Sequence, residues 1–218
     1  MLPDEKKSRA VVRLVDDDPT VLRALSVFLE MADWRVRAFQ SGADFLASDL
    51  SEPGCAVLDV RMPGMTGIEL QREMNERGVD LPVIFLSAHG DIEMAVEAIK
   101  HGARTFLVKP PDTEKLLAEI EGAVEANFER RRSVAWARSL QASWDGLTPA
   151  EQQVASMAAK GLTTSVIAEV LGVAERTVKS QRASILEKLE LANAVELADF
   201  VHELHEAEVL AGGVGGRS

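Results

Sequence analysis

Val11-Val12-Arg13-Leu14-Val15-Asp16-Asp17-Asp18, the stretch VVRLVDDD at residues 11–18, is a short apolar run that breaks on three consecutive carboxylates. A run this short and apolar reads as a strand covered on both faces. The pattern recurs along the first half of the chain. Apolar runs at Ala10–Val15, Arg35–Phe39, Cys55–Leu58, Val83–Leu86 and Thr105–Val108 alternate with helical patterns at Pro19–Met31, Gly42–Asp49, Ile68–Arg77, Ile92–His101 and Asp112–Phe128. Pro19 suits a first helical turn, and Gly78 and Gly102 suit helix ends. Strand–helix alternation with short connections predicts an α/β fold, a doubly wound five-stranded parallel sheet. Its crevice lies beyond the carboxyl ends of the strands.

Polar residues stand where four of those strands end. Asp16, Asp17 and Asp18 follow the first, Asp59 the third, Ser87 the fourth and Lys109 the fifth. Carboxylates brought together raise one another's pKa unless a cation joins them. A hard divalent ion with oxygen ligands, Mg²⁺ above all, removes that conflict. It also neutralises the oxygens of an incoming phosphoryl group, which a carboxylate can accept as a nucleophile.

The motifs VDDD, LDVRMPGMTG, SAHGD and FLVKP, in that order and spacing, resemble the signature of receiver domains of two-component response regulators over residues 9–128. The resemblance implies that Asp59 is phosphorylated by a sensor histidine kinase. It implies that Asp17, Asp59 and the backbone carbonyl of Arg61 bind Mg²⁺, with Asp16 acting through water. Ser87 would bond the phosphoryl group, Lys109 would pair with its charge, and Phe106 would be the aromatic switch. Lys109-Pro110 resembles the family's cis peptide, and a cis bond before proline is the plausible kind. Two positions depart from the pattern: Pro111 replaces a frequent phenylalanine, and Asp33-Trp34 a frequent glycine–aromatic pair. Asp16-Asp17-Asp18-Pro19-Thr20 also fits the Asp-x-Asp-x-Thr motif of haloacid-dehalogenase phosphatases. That reading needs a further acidic pair after Lys109, which the sequence lacks, and leaves Asp59 without a role. The protein is therefore not expected to be an enzyme beyond its own phosphoryl transfer and hydrolysis.

From Thr113 to Asp145 there is no proline, and Gly122 is the only glycine, so the last receiver helix is expected to continue into a helical linker at 129–146. Residues 147–210 read as an all-α four-helix domain. Thr148, Pro149 and Glu151 form a capping box at its start. Gly161 ends the first helix, Thr163 caps the second, and Gly172-Val173 makes the turn into a third helix at Glu175–Leu189. The fourth follows Asn193. Two helices about a glycine turn, the second carrying the basic residues, is the helix-turn-helix arrangement. Arg176, Lys179, Arg182 and Lys188 are four of the five basic residues in this domain. Residues 211–218 are expected to be disordered.

The order LTPAEQQV…KGLTTSVIAEVLGVAERTVKSQRASILEKL resembles the LuxR/FixJ/NarL type of DNA-binding domain, and the SAHGD and AVEAIKHGA runs the FixJ-like branch. This implies that Arg176, Lys179, Gln181 and Arg182 face double-stranded DNA, that Thr177 and Val178 seat the helix, and that Lys188 extends the face. It implies a homodimer on activation, with the fourth helix as a contact, and RNA polymerase as a further partner. Ala174 stands where a serine cap is usual, Thr164-Ser165 where Asn-Lys is usual, and Gln181 where histidine is usual. Losing that cap costs about 1 kcal/mol, and losing the lysine removes a phosphate contact.

Charge bears on the partners. The chain is −11 overall; residues 1–128 hold 14 basic and 23 acidic side chains, and residues 147–210 hold 5 and 10. Contact with DNA must therefore come from a local basic face, because the average charge repels phosphate. The acidic balance and the lost lysine also leave open a helical domain that binds protein instead. No apolar run approaches the roughly 20 residues needed to span a bilayer. The start MLPDEKK lacks a signal-peptide core. The lone Cys55 excludes an internal disulfide. A cytoplasmic protein with no membrane partner is expected.

Overall fold

The computed structural model describes residues 4–88 and 99–214. The helix expected at Ile92–His101 falls, but for residues 99–101, outside them. The chain forms two compact units, Met1–Arg130 and Arg131–Ser218.

The first unit is built on one sheet of five parallel strands: β1 (Val11–Val15), β2 (Arg35–Phe39), β3 (Gly54–Asp59), β4 (Val83–Ser87) and β5 (Thr105–Val108). Their spatial order is β2-β1-β3-β4-β5. Around it stand α1 (Asp4–Arg9), α2 (Pro19–Met31), α3 (Gly42–Ala47), α4 (Gly67–Glu76) and α5 (Thr113–Asp145). Alternate residues of the strands feed two separate cores. Val12, Leu14, Val57 and Ile84 pack with Leu22 and Leu29 of α2 and with Leu116, Ile120 and Val124 of α5. Ala56, Leu58 and Phe85 pack with Phe45 of α3 and with Leu70 and Met74 of α4. This two-faced burial is why the three central strands, β1, β3 and β4, read as nearly continuous apolar runs.

Three local features set the geometry of the site. Gly54 has φ +151 and opens β3 so close to β1 that a Cβ there would stand 1.9 Å from the Val11 carbonyl oxygen. Gly67 starts α4 directly against the Asp59 carbonyl, where a Cβ would lie 2.2 Å from that oxygen. Asp33 takes φ 64 after α2, the left-handed conformation that the more usual glycine would adopt freely.

α5 runs unbroken from Thr113 to Asp145, about 50 Å at 1.5 Å per residue. Asn127 on its buried stripe accepts from Gly54 N–H at 3.0 Å and donates to the Asp80 carbonyl at 2.6 Å, fixing the helix to the start of β3. α1 was not anticipated from sequence. It docks on α5 through Lys6–Glu125 at 2.5 Å and Lys7–Glu121 at 3.6 Å, with the Lys7 ammonium 5.3 Å from the Trp34 ring centroid.

The second unit carries α6 (Pro149–Ala159), α7 (Thr164–Leu171), α8 (Glu175–Lys188) and α9 (Ala194–Val214). Val154, Ile167, Val178, Ile185, Leu197 and Val201 form its core. α9 extends to Val214, into the stretch expected to be disordered. Once nucleated, a helix tolerates Gly212 and Gly213 at about 1 kcal/mol each.

Candidate functional site

In the strand order β2-β1-β3-β4-β5 the chain leaves β1 toward one side and β3 toward the other. The topological switch point therefore lies beyond the carboxyl ends of β1 and β3. Asp16 follows β1 and Asp59 closes β3, so both flank that point. Lys109 comes over from the end of β5 and joins them. Its ammonium lies 2.5 Å from Asp16 Oδ2 and 2.6 Å from Asp59 Oδ1. The second oxygen of each carboxylate accepts a backbone N–H: Asp16 Oδ1 from Asp18 at 3.0 Å, and Asp59 Oδ2 from Arg61 at 2.9 Å. The Lys109 amide itself donates to the Ser87 carbonyl at 2.7 Å, which ties the end of β5 to the end of β4. The Lys109-Pro110 peptide is cis.

Burial makes this arrangement electrostatically tense. Asp16, Asp59 and Ser87 are buried. Desolvation, with some repulsion from Asp16, raises the Asp59 pKa above the usual carboxylate value, although Lys109 and the Arg61 amide oppose it. Burial alone would lower the Lys109 pKa, but its bonds to Asp16 and Asp59 outweigh that and raise it. Asp17, on the same turn, is exposed and does not converge with the other two. Phe106, half-buried on β5 opposite Phe85, packs against the core beneath α3 and α4. Arg61 is exposed, with its amide on Asp59.

These residues suit a hard cation. Two buried carboxylates, Asp16 and Asp59, face one ammonium, which leaves one negative charge uncompensated, and Asp17 adds a third carboxylate on the exposed side of the same turn. All the donors are oxygens, the ligands Mg²⁺ prefers.

The second candidate surface is α8. Gly172 takes φ 66 and caps α7, and Val173 N–H bonds the Ala168 carbonyl at 3.0 Å, which makes the sharp turn into α8. Val178 and Ile185 point into the core, leaving Arg176, Thr177 and Lys179 exposed. Among the described residues, no side chain caps the amide end of α8 at Ala174. Arg182 Nη1 donates to Thr164 Oγ1 at 3.3 Å, bridging the two helices of the motif. Gln181 is half-buried, and its Oε1 is buried without a partner among the described residues.

Lys188 departs from the basic face expected of it. Its ammonium sits 2.7 Å from Glu151 Oε2 on α6. Glu151 closes the Thr148 capping box and also accepts from Ser184 Oγ at 2.8 Å. Bonds from Lys188, the Thr148 amide and Ser184 lower its pKa to about 2. The sequence showed the capping box but not this second use of Glu151. Ser184 and Lys188 are four apart, and that spacing put them on one helical face without saying what it met.

Comparison with known proteins agrees with this geometry. Residues 12–121 match the response regulator receiver domain family, and residues 145–201 the luxR family of bacterial regulatory proteins. The chain is 38% identical over 200 residues to the response regulator protein TmoT of Ectopseudomonas mendocina, covering 91% of this chain and 90% of that one. It is 37% identical over 187 residues to the transcriptional regulatory protein FixJ of Azorhizobium caulinodans, covering 85% and 89%. Among solved structures, the response regulator StyR superposes with a TM-score of 0.84 at 39% identity, over 89% of this chain and 99% of that one. Full-length FixJ from B. japonicum gives 0.57 at 32% identity, over 91% and 98%. Receiver domains of this family generally bind Mg²⁺ at the phosphorylation site and take their phosphoryl group from a histidine kinase. The chain belongs to the FixJ-type response regulators of two-component systems: a receiver domain followed by a LuxR-type DNA-binding transcription-regulator domain.

Proposed function

We propose that Asp59 is the phosphoryl acceptor and that its phosphorylation switches a homodimer of this chain onto paired sites in double-stranded DNA. One observation carries this reading: Lys109 bridges Asp16 and Asp59 at 2.5 and 2.6 Å within a buried crevice at the switch point of the sheet. Asp59 Oδ1 attacks phosphorus in a phosphoimidazole of the sensor kinase, and the imidazole leaves with the bonding electron pair. Asp17, Asp59 and the Arg61 carbonyl, with Asp16, would hold Mg²⁺, which when bound would neutralise charge on the phosphoryl oxygens. Lys109 then pairs with the new charge. Ser87 donates its hydroxyl to a phosphoryl oxygen, and Phe106 turns inward as Ser87 moves. The added charge of about −1.5 to −2 biases that element.

The receiver spans 9–128, the linker 129–146 and the DNA-binding domain 147–210. Arg176, Thr177, Lys179, Gln181 and Arg182 meet DNA. RNA polymerase is a further partner, and the protein works in the cytoplasm. It turns over no substrate apart from its own phosphoryl group.

Incubation with acetyl phosphate and Mg²⁺ is expected to add one phosphoryl group, detected by intact-mass measurement, and Asp59→Asn is expected to add none. The DNA face is tested by salt dependence. Lys179→Ala should weaken binding about tenfold and reduce the log–log salt slope by about 1. Lys188→Ala should leave that slope nearly unchanged, because Glu151 already neutralises its charge. A labelled Asp59→Asn variant, or wild-type DNA binding by Lys179→Ala, overturns the corresponding half of the proposal.

A further inference from the structure

We infer, on the reading of α8 as the DNA face, that Arg182 grips a phosphate rather than a base and that Thr164 is the positioning residue that holds it there.

α8 offers four cations, and they are not in equivalent states. Arg176 and Lys179 stand exposed in the first half of the helix. Lys188, in its last turn, is taken up by Glu151 at 2.7 Å. Arg182 lies between them, half-buried, and its Nη1 donates to Thr164 Oγ1 at 3.3 Å. It is therefore the last cation along α8 left to meet DNA, and it is tied to the neighbouring helix of the motif.

Neither capping nor packing explains the tie. Thr164 is the first residue of α7, and the cap is Thr163, whose own hydroxyl accepts from the Val166 amide at 3.4 Å. The two helices meet in the core through Ile167 and Ala168 of α7 and Val178 and Ile185 of α8, without Thr164 or Arg182. What the bond does is choose a rotamer. Arginine has a large rotamer entropy to give up on binding, and a guanidinium already held gives up less.

The direction of the tie decides the ligand. In a helix-turn-helix the amino-terminal residues of the recognition helix meet base edges, while the first helix crosses the sugar–phosphate backbone. A guanidinium bonded to the first residue of α7 is thereby drawn to the backbone side. The bond uses one of its donors, and the rest of the planar fork suits a phosphate in bidentate fashion. Base reading then falls to Arg176 and Thr177, exposed in the first turn of α8. A phosphate contact fixes register and carries no sequence information of its own.

The test is DNA binding by the full chain after treatment with acetyl phosphate and Mg²⁺. Two duplexes of equal length serve as probes: one selected from a random pool by the wild-type protein, and a scrambled version of it. Arg182→Ala should weaken binding about tenfold on both, leave their affinity ratio unchanged, and reduce the log–log salt slope by about 1. Thr164→Val keeps the shape of the side chain but removes the acceptor, and should weaken binding about threefold to tenfold. In the Arg182→Ala background it should add nothing, and Thr164→Ser should bind like wild type. An affinity ratio that collapses in Arg182→Ala makes Arg182 a base reader and overturns the phosphate assignment. A loss from Thr164→Val that is equal with and without Arg182, the mark of a merely structural role, overturns the positioning role. Lys179→Ala is measured on the same duplexes. If it weakens binding and Arg182→Ala does not, the phosphate grip alone fails; if neither does, the reading of α8 as the DNA face fails with it.

Discussion

Two carboxylates in this molecule hold a lysine at nearly the same distance and respond in opposite ways. Asp59 sits 2.6 Å from Lys109 in the receiver crevice, and Glu151 sits 2.7 Å from Lys188 in the helical domain. Burial raises the pKa of Asp59, whereas the bonds around Glu151 lower its pKa to about 2. The ion pair does not decide the difference; the surroundings do. Asp59 shares its lysine with a second buried carboxylate, Asp16, and gains one backbone amide. Among the described residues, Glu151 shares its lysine with no other acid. It also accepts from the Thr148 amide and hydroxyl and from Ser184, at the positive end of α6. The first site retains charge it cannot fully satisfy, which suits a group that must react. The second is saturated and serves to hold α8 against α6.

The harshest challenge to that contrast is Lys109→Met. Removing one partner from a buried ionic group leaves charge without compensation, and here two carboxylates lose their common cation. A loss of about 3 kcal/mol is expected by chemical denaturation, toward the lower end of the usual range because the Lys109 side chain keeps some access to water. The double variant Lys109→Met with Asp59→Asn should recover a good part of that loss, since one of the stranded charges is gone. If Lys109→Met costs no more than a surface substitution, the crevice is better solvated than its burial indicates, and the comparison fails on its first side.

Glu151→Gln tests the other side. Glutamine can still meet the Thr148 amide, but Lys188 loses its counter-charge and the bond to Ser184 weakens. A loss of about 2 kcal/mol at neutral pH is expected for the helical domain. The pH dependence follows from the depressed pKa. A carboxylate lowered from 4.5 to about 2 in the folded state contributes stability that is complete above 4.5 and lost as pH falls from there toward about 2. Wild type and Glu151→Gln should therefore converge in stability over that window, read by amide hydrogen exchange at α6 and α8. Curves that stay parallel down to about pH 2 would falsify the claim that ionised Glu151 anchors α8.

How legible these sites were in the sequence follows the same physics. The crevice could be read because its groups stand at strand ends, and a parallel sheet sends those ends to one place; Asp16, Asp59 and Lys109 needed no side-chain detail to be brought together. The five strands agree with their apolar runs within a residue or so, and in the three central ones burial on both faces writes itself into composition. What sequence could not show was the use of a charge. Lys188 has the spacing of a basic face, yet it is turned to Glu151, and only the packing of α8 on α6 reveals that. Asn127 is a polar residue on the apolar stripe of α5, a signal that is visible only once its register against β3 is known. Asp33 illustrates the reverse. Its departure from the usual glycine leaves the turn intact, because aspartate is among the few residues that accept φ 64.

Asp59→Asn gives the smallest expected effect and the most discriminating sign. Replacing the acidic member of an ion pair ordinarily destabilises a protein, as expected for Glu151→Gln. At Asp59 the folded state disfavours the charged form, so its pKa lies above the unfolded value of 3.8. Below 3.8 the group is protonated in both states and contributes nothing. As pH rises through the raised folded value, the unfolded chain releases its proton more readily, and stability falls. Asparagine keeps the size of the side chain and an oxygen for the Arg61 amide, and Lys109 retains Asp16. The variant should therefore be more stable than wild type at neutral pH, by at most about 1 kcal/mol because Lys109 and the amide already offset much of the burial. The gain should disappear as pH falls below 3.8. A variant less stable than wild type at neutral pH would mean that the lysine outweighs burial at Asp59. The two carboxylates would then differ in degree alone.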